Sequence, residues 1–116
     1  MTGPIAPETL PVPASHLDLL TRPICGVFTT LGHDGQPQSS LVRVDLDRGC
    51  PLVNTSLDGQ RGRNLIDNQK VSLLVVDPRN TSRFIQIRGD AELVTRVTCR
   101  IHPRRITLDA IHLADH

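Results

Sequence analysis

From residue 83 onward the chain is written with a period of two. Ile85, Ile87, Ala91 and Leu93 fall on one side and Gln86, Arg88, Asp90 and Glu92 on the other, with Gly89 between them. Val97, Cys99 and Ile101 then repeat the pattern against Thr98, Arg100 and His102. Successive side chains of a strand point to opposite faces, so alternation of this kind predicts half-buried strands and leaves no room for an amphipathic helix.

The earlier half supplies the rest of a sheet. Ile24 to Leu31 and Gln38 to Leu46 are predicted strands, joined through His33-Asp34-Gly35-Gln36, where Asp-Gly provides the positive dihedral of a tight hairpin. Pro51 to Thr55 follows the Asp47-Arg48-Gly49 turn, and Val71 to Val76 is an almost continuous apolar run, as expected of a strand covered on both sides. Ile106 to Ile111 closes the set after Pro103. Ser15 is placed to cap a short helix carrying Leu17, Leu19 and Leu20, stopped by Arg22-Pro23. Six or seven strands with one or two short helices predict a mainly β fold, an antiparallel Greek-key barrel. Pro4, Pro7, Pro11 and Pro13 make residues 1–13 a flexible or extended arm, residues 14–113 form a single domain, and 114–116 are a tail.

Composition narrows the function classes. A chain of 116 residues builds one core. With two phenylalanines and no tryptophan or tyrosine, that core falls to Leu, Ile and Val, and a further face buried against a second copy is the expected supplement. A net charge of +1 with interspersed signs, and so few aromatic rings, argue against nucleic acid. Cys25, Cys50 and Cys99 form no C-x-x-C pair, which predicts a reduced, cytoplasmic protein. The histidines, His112 and His116 included, show no metal-ligand spacing, and no metal site is expected. No cationic stretch precedes an apolar core near the start, and no apolar run approaches the ~20 residues that cross a bilayer, so neither a leader nor a membrane association is expected.

The chemistry concentrates between residues 52 and 68, where a strand empties through glycines into two arginines and a short helix beginning near Gly62. Thr55 and Ser56 offer hydroxyls, the glycines let backbone approach a ligand, Arg61 and Arg63 supply guanidinium forks, and the helix adds unpaired amides. These are the donors a phosphate group requires. No Gly-x-Ser-x-Gly elbow, carboxylate pair or Cys-His pair accompanies them, so no catalytic residue is assigned and a cofactor must carry the chemistry.

Taken together these motifs resemble, over residues 15–111, the pyridoxamine-phosphate-oxidase-like split-barrel flavin and deazaflavin proteins. Gly59-Gln60-Arg61-Gly62, Leu65 and Asn68-Gln69 match the family's phosphate loop, and Gly26 to Ser40 matches its opening hairpin. Val71 to Pro78 and Arg83 to Glu92 match its next strands. Four departures stand out. Ser40 and Asp45 replace an arginine and a lysine of the second strand, Gln60 replaces the loop's first arginine, and Arg61 replaces its lysine. Val53-Asn54-Thr55-Ser56, the Arg61/Arg63-Asn64-Leu65 helix start and Val75-Val76-Asp77-Pro78 look most like the actinobacterial branch that binds the deazaflavin coenzyme F-420. Only Thr95-Arg96 joins two strands between which many members place a long helical segment, which implies a direct hairpin.

The resemblance implies a homodimer with its cofactor at the subunit interface. Asn54, Thr55, Ser56, Gln60, Arg61, Arg63 and Asn64 would hold the ribityl-phosphate portion, and Ser39, Ser40 and Leu41 would approach the ring. Arg43, Arg48, Arg79 and Arg83 would suit the coenzyme's anionic tail. The favoured function is an F-420-dependent reductase of an unsaturated or quinone-like small molecule. The alternatives are an oxidoreductase that uses flavin mononucleotide (FMN) and a non-catalytic cofactor-binding protein.

Overall fold

The computed structural model describes residues 9–109. Six antiparallel strands form a closed barrel: β1 (Cys25–Leu31), β2 (Pro37–Asp47), β3 (Cys50–Asn54), β4 (Lys70–Val76), β5 (Phe84–Thr95) and β6 (Thr98–Leu108), in the order β1-β2-β3-β6-β5-β4. The chain climbs through β1, β2 and β3, crosses one end of the barrel in helix α2 (Gln60–Asp67) and returns with β4 beside β1. That return is the Greek-key step. A 3-10 turn (Ala14–His16) and helix α1 (Asp18–Thr21) serve the other end.

Closure explains the composition. Each strand sends every second side chain inward, and Phe28, Val42, Val44, Val53, Leu73, Val75, Ile85, Ile87, Cys99 and Ile101 fill the interior, with Leu19 and Leu20 of α1 and Leu65 of α2 completing the core. Burial raises the Cys99 thiol to about 12, so it is a packing group and no nucleophile. Cys25 and Cys50 are also free thiols. No helix among the described residues is long and apolar enough to cross a membrane.

Several expectations are corrected. The described residues hold six strands, the lower of the two expected numbers, because β6 runs from Thr98 through Pro103 to Leu108 as one element, and Ile111 lies outside the described residues. Pro103 is tolerated in mid-strand because it sits at a register irregularity opposite Gly89, where a ladder donor is not needed. The alternation of β5 fails at Leu93, 47% exposed beside a second register shift, and Val97 belongs to the exposed turn that precedes β6. The β5–β6 connection is the direct hairpin expected. Ser15 caps nothing: its hydroxyl bonds His16 Nδ1 at 2.7 Å, and α1 has no side-chain cap. The extended segment before it is not idle, since the Leu10 amide donates to the Pro103 carbonyl and Val12 joins the core.

The α1 end is locked by charge. Arg83 donates to both Asp18 carboxylate oxygens, at 3.0 and 2.6 Å, to Asp77 Oδ2 at 3.1 Å and to the Ser15 carbonyl at 2.7 Å. The Arg83 contact holds the Asp18 carboxyl below its ordinary range, and the Arg79 backbone amide does the same for Asp77. Beside them His16, buried, meets Asp109 at 2.6 Å and lowers that carboxyl too. Arg83 is therefore a structural hub and is not available to a ligand's anionic tail, which corrects that expectation.

Candidate functional site

At the opposite end, β3 terminates at Asn54 and the chain turns through residues 55–59 into α2. The helix begins at Gln60, two residues before the expected start, with Gly59 as its N-cap. Gly59 provides no side-chain acceptor and the first turn holds no acidic residue. No side-chain acceptor caps the first-turn N–H groups, and the positive end of the helix dipole faces the turn.

The turn is held from outside by the β5–β6 hairpin. Thr55 N–H donates to the Val97 carbonyl at 2.9 Å and Leu57 N–H to the Arg96 carbonyl at 3.0 Å, while the Arg96 guanidinium reaches the Asp58 carboxylate at 3.2 and 3.3 Å. From inside, α2 lies directly on the turn. A Cβ at residue 62 would stand 1.7 Å from the Leu57 carbonyl oxygen, so only glycine permits this approach.

Arg61 donates from Nη1 to the Thr55 hydroxyl and to the Ser56 carbonyl at 3.0 Å. Both acceptors are neutral, Arg61 has no carboxylate partner among the described residues, and its Nε is buried with no acceptor among them. Arg63 donates to Gln60 Oε1 at 3.0 Å, again a neutral partner. The turn thus carries two guanidinium charges and one orphaned donor around an uncapped helix start. That is a donor set suited to an anion.

Other residues expected at the site are spent on organisation. Asn64 is 2% exposed; its Nδ2 donates to Thr30 Oγ1 at 3.0 Å and Gln38 Oε1 at 3.1 Å, and its Oδ1 accepts from Gln60 Nε2 at 2.7 Å. A continuous relay, Arg63 to Gln60 to Asn64 to Thr30, therefore runs from the surface into the barrel. Asn54 donates to Asp45 Oδ2 at 2.7 Å and accepts from Thr98 Oγ1 at 3.3 Å. Ser39, Ser40 and Leu41 lie on β2, but not on one face. Ser39, whose hydroxyl meets that of Thr29 at 2.7 Å, and Leu41, 72% exposed, belong to the outward set, while Ser40 falls in the inward set with Val42 and Val44.

Sequence reasoning missed the outer clamp and the inner anchor. Val97 acts through its backbone carbonyl, which leaves no mark in side-chain chemistry, and Arg96 adds to its carbonyl an ion pair with Asp58, 38 residues away in sequence. Thr30 and Gln38 precede Asn64 by 34 and 26 residues and meet it only after the barrel closes.

Comparison with known proteins places this geometry. Residues 12–100 match the family model described as pyridoxamine 5'-phosphate oxidase. A solved structure of an F420 reductase superposes with a TM-score of 0.73 at 23% identity, covering 83% of this chain and 98% of that one. A conserved hypothetical protein from Mycobacterium tuberculosis gives 0.72 at 21% identity, over 97% and 93%. A heme storage protein from Vibrio cholerae gives 0.69 at 13% identity, over 86% and 96%. At these identities the likeness is one of fold. The comparison with curated proteins gave no match.

Proposed function

The chain belongs to the pyridoxamine 5'-phosphate oxidase family, and on that premise we propose that it is a coenzyme F-420-dependent oxidoreductase that works as a homodimer and reduces a small unsaturated or quinone-like molecule. The observation that carries this reading is the charge arrangement at the turn. Arg61 and Arg63 stand uncompensated at an uncapped helix start, whereas β2 supplies Asp45, a carboxylate bonded to Asn54, near where a second cation would sit. A terminal phosphate monoester carries about 1.5 to 2 negative charges at neutral pH and calls for more cationic partners than a diester with one. The donor set here suits the diester of the deazaflavin better than the monoester of FMN.

The residues divide into two roles. Arg61, Arg63, Thr55, Ser56 and the first-turn N–H groups of α2 hold the phosphate. Gln60, Asn64 and Asn54 fix those donors through the bonds described above, which keeps the site preorganised and lowers the cost of binding. Ser39 and Leu41 present side chains to the ring and Ser40 presents backbone. Leu41 is followed in cross-strand register by Val27 and Leu74, an outward apolar row that a second copy would cover, excluding water from the ring. When bound, the coenzyme supplies the hydride chemistry that the side chains lack.

A steady-state assay with chemically reduced coenzyme and a panel of enones and quinones tests the proposal. Turnover that falls in Arg61→Ala supports it. Tight coenzyme binding with no turnover on any acceptor would make the protein a carrier, and turnover only with reduced FMN would move it to the flavin branch.

A further inference from the structure

The β5–β6 pair contains a bulge that places charge deliberately. Arg88 pairs with Arg105 and Gly89 with Pro103, which leaves Arg104 as an extra residue on β6. A Cβ at residue 89 would lie 2.1 Å from the His102 carbonyl oxygen, so the bulge closes only over glycine. An extra residue breaks the alternation of a strand and re-aims its neighbours. Here Arg104 and Arg105, consecutive in sequence, line the same groove of about 560 Å³ together with Arg88 and Lys70.

The register makes the groove a continuous row. Thr29 on β1 pairs with Ser72 on β4, Ser72 with Arg88 on β5, and Arg88 with Arg105 on β6. Hydroxyls therefore lead into two guanidinium groups directly opposite each other. The groove's carboxylate, Asp90, is taken by Arg104 Nε at 2.8 Å. Arg88 and Arg105 are exposed and have no acidic partner among the described residues. Like charges facing across a strand pair are destabilising, and an arrangement that gathers them around a glycine-dependent bulge makes physical sense when an anion completes it.

We propose that this groove is a second ligand site, taking an organic oxyanion with two or more negative charges, either a phosphate ester or a di- or tricarboxylate, clamped between Arg88 and Arg105. It does not rest on the reading of the Thr55–Arg63 turn. With strands about 4.8 Å apart, Arg88 lies three strand steps, or about 14 Å, along the sheet from Ser39.

Titration of the full chain, labelled with 15N at arginine, with pyrophosphate and with citrate tests the assignment. The Nε–Hε signals of Arg88 and Arg105 should move saturably, with half-saturation at or below about 1 mM, and Arg61→Gln should leave these movements in place. The double substitution Arg88→Gln/Arg105→Gln should weaken the response at least about tenfold. Tighter pyrophosphate would assign a phosphate ester, and tighter citrate a carboxylate. Shifts that fail to saturate by about 10 mM, or that spread over all arginines alike, would overturn the proposal as simple screening. A second readout needs no ligand: Arg105→Gln alone should raise the melting midpoint by about 1–4 °C by removing the facing charge. An unchanged or lower midpoint would show that the two arginines do not oppose each other and would remove the basis of the site.

Discussion

Each end of the barrel is closed by a short helix and an arginine, and the two arginines are treated oppositely. At the α1 end Arg83 is surrounded by Asp18, Asp77 and a backbone carbonyl, so its charge is spent on joining three segments. At the α2 end Arg61 is positioned instead by the Thr55 hydroxyl and a carbonyl, which orient it and leave its charge intact. The difference separates a cation that builds the fold from one reserved for a ligand. The first is neutralised by carboxylates, and the second is oriented by neutral acceptors.

The contrast is testable at both ends. The largest effect is expected from truncating the core under each helix. Leu19→Ala and Leu65→Ala should each cost about 2–5 kcal/mol in denaturant unfolding. Only Leu65→Ala should also weaken coenzyme binding, because Leu65 carries α2; equal binding losses would mean the two ends are not functionally distinct. Next comes Arg61→Ala, expected to cost about 1.5–3 kcal/mol of cofactor affinity through a lost charge-assisted contact. Its unfolding free energy should move by less than about 0.5 kcal/mol, and the reverse pattern would make Arg61 a second Arg83.

Gly62→Ala forces a Cβ against the Leu57 carbonyl and should destabilise by about 1–3 kcal/mol, read as a lower unfolding midpoint with loosened cofactor binding. The smallest effect concerns acid. Asp18, Asp77 and Asp109 have carboxyls held below the ordinary 3.8, so the stability they contribute is present above that value and disappears as pH falls through their lowered folded-state values. Melting midpoints followed from about pH 6 to 2 should drop below about pH 4. Arg83→Met should flatten that drop while Arg61→Ala leaves it in place, and an identical acid limb in both would contradict the division.

The sequence revealed most where side-chain pattern and backbone period coincide. The strands around Ile85, Ile101 and Val75 were legible because each must send alternate residues into a closed interior, and the Gly59 to Arg63 turn because glycines and arginines are its chemistry. What stayed hidden depends on closure. Arg83 and Asp18 are 65 residues apart and meet only when β5 joins α1. Asn64 is expected among the residues that hold the ribityl-phosphate portion, yet it is drawn inward by Thr30 and Gln38 at the barrel mouth. Leu93 broke its alternation at a register shift and Pro103 sat within a strand at a bulge, and neither irregularity has a signature in composition.

The central claim is that the α2 end keeps its cationic charge for a phosphodiester-bearing deazaflavin, and equilibrium binding tests it most directly. Fluorescence anisotropy of oxidised coenzyme F-420 and of FMN, each titrated with the protein, works against little background because the chain has no tryptophan or tyrosine. The account predicts micromolar or tighter binding of the deazaflavin, at least about tenfold stronger than FMN, and weakened at least about tenfold in Arg61→Ala. Stronger binding of FMN, or binding of neither, would contradict it.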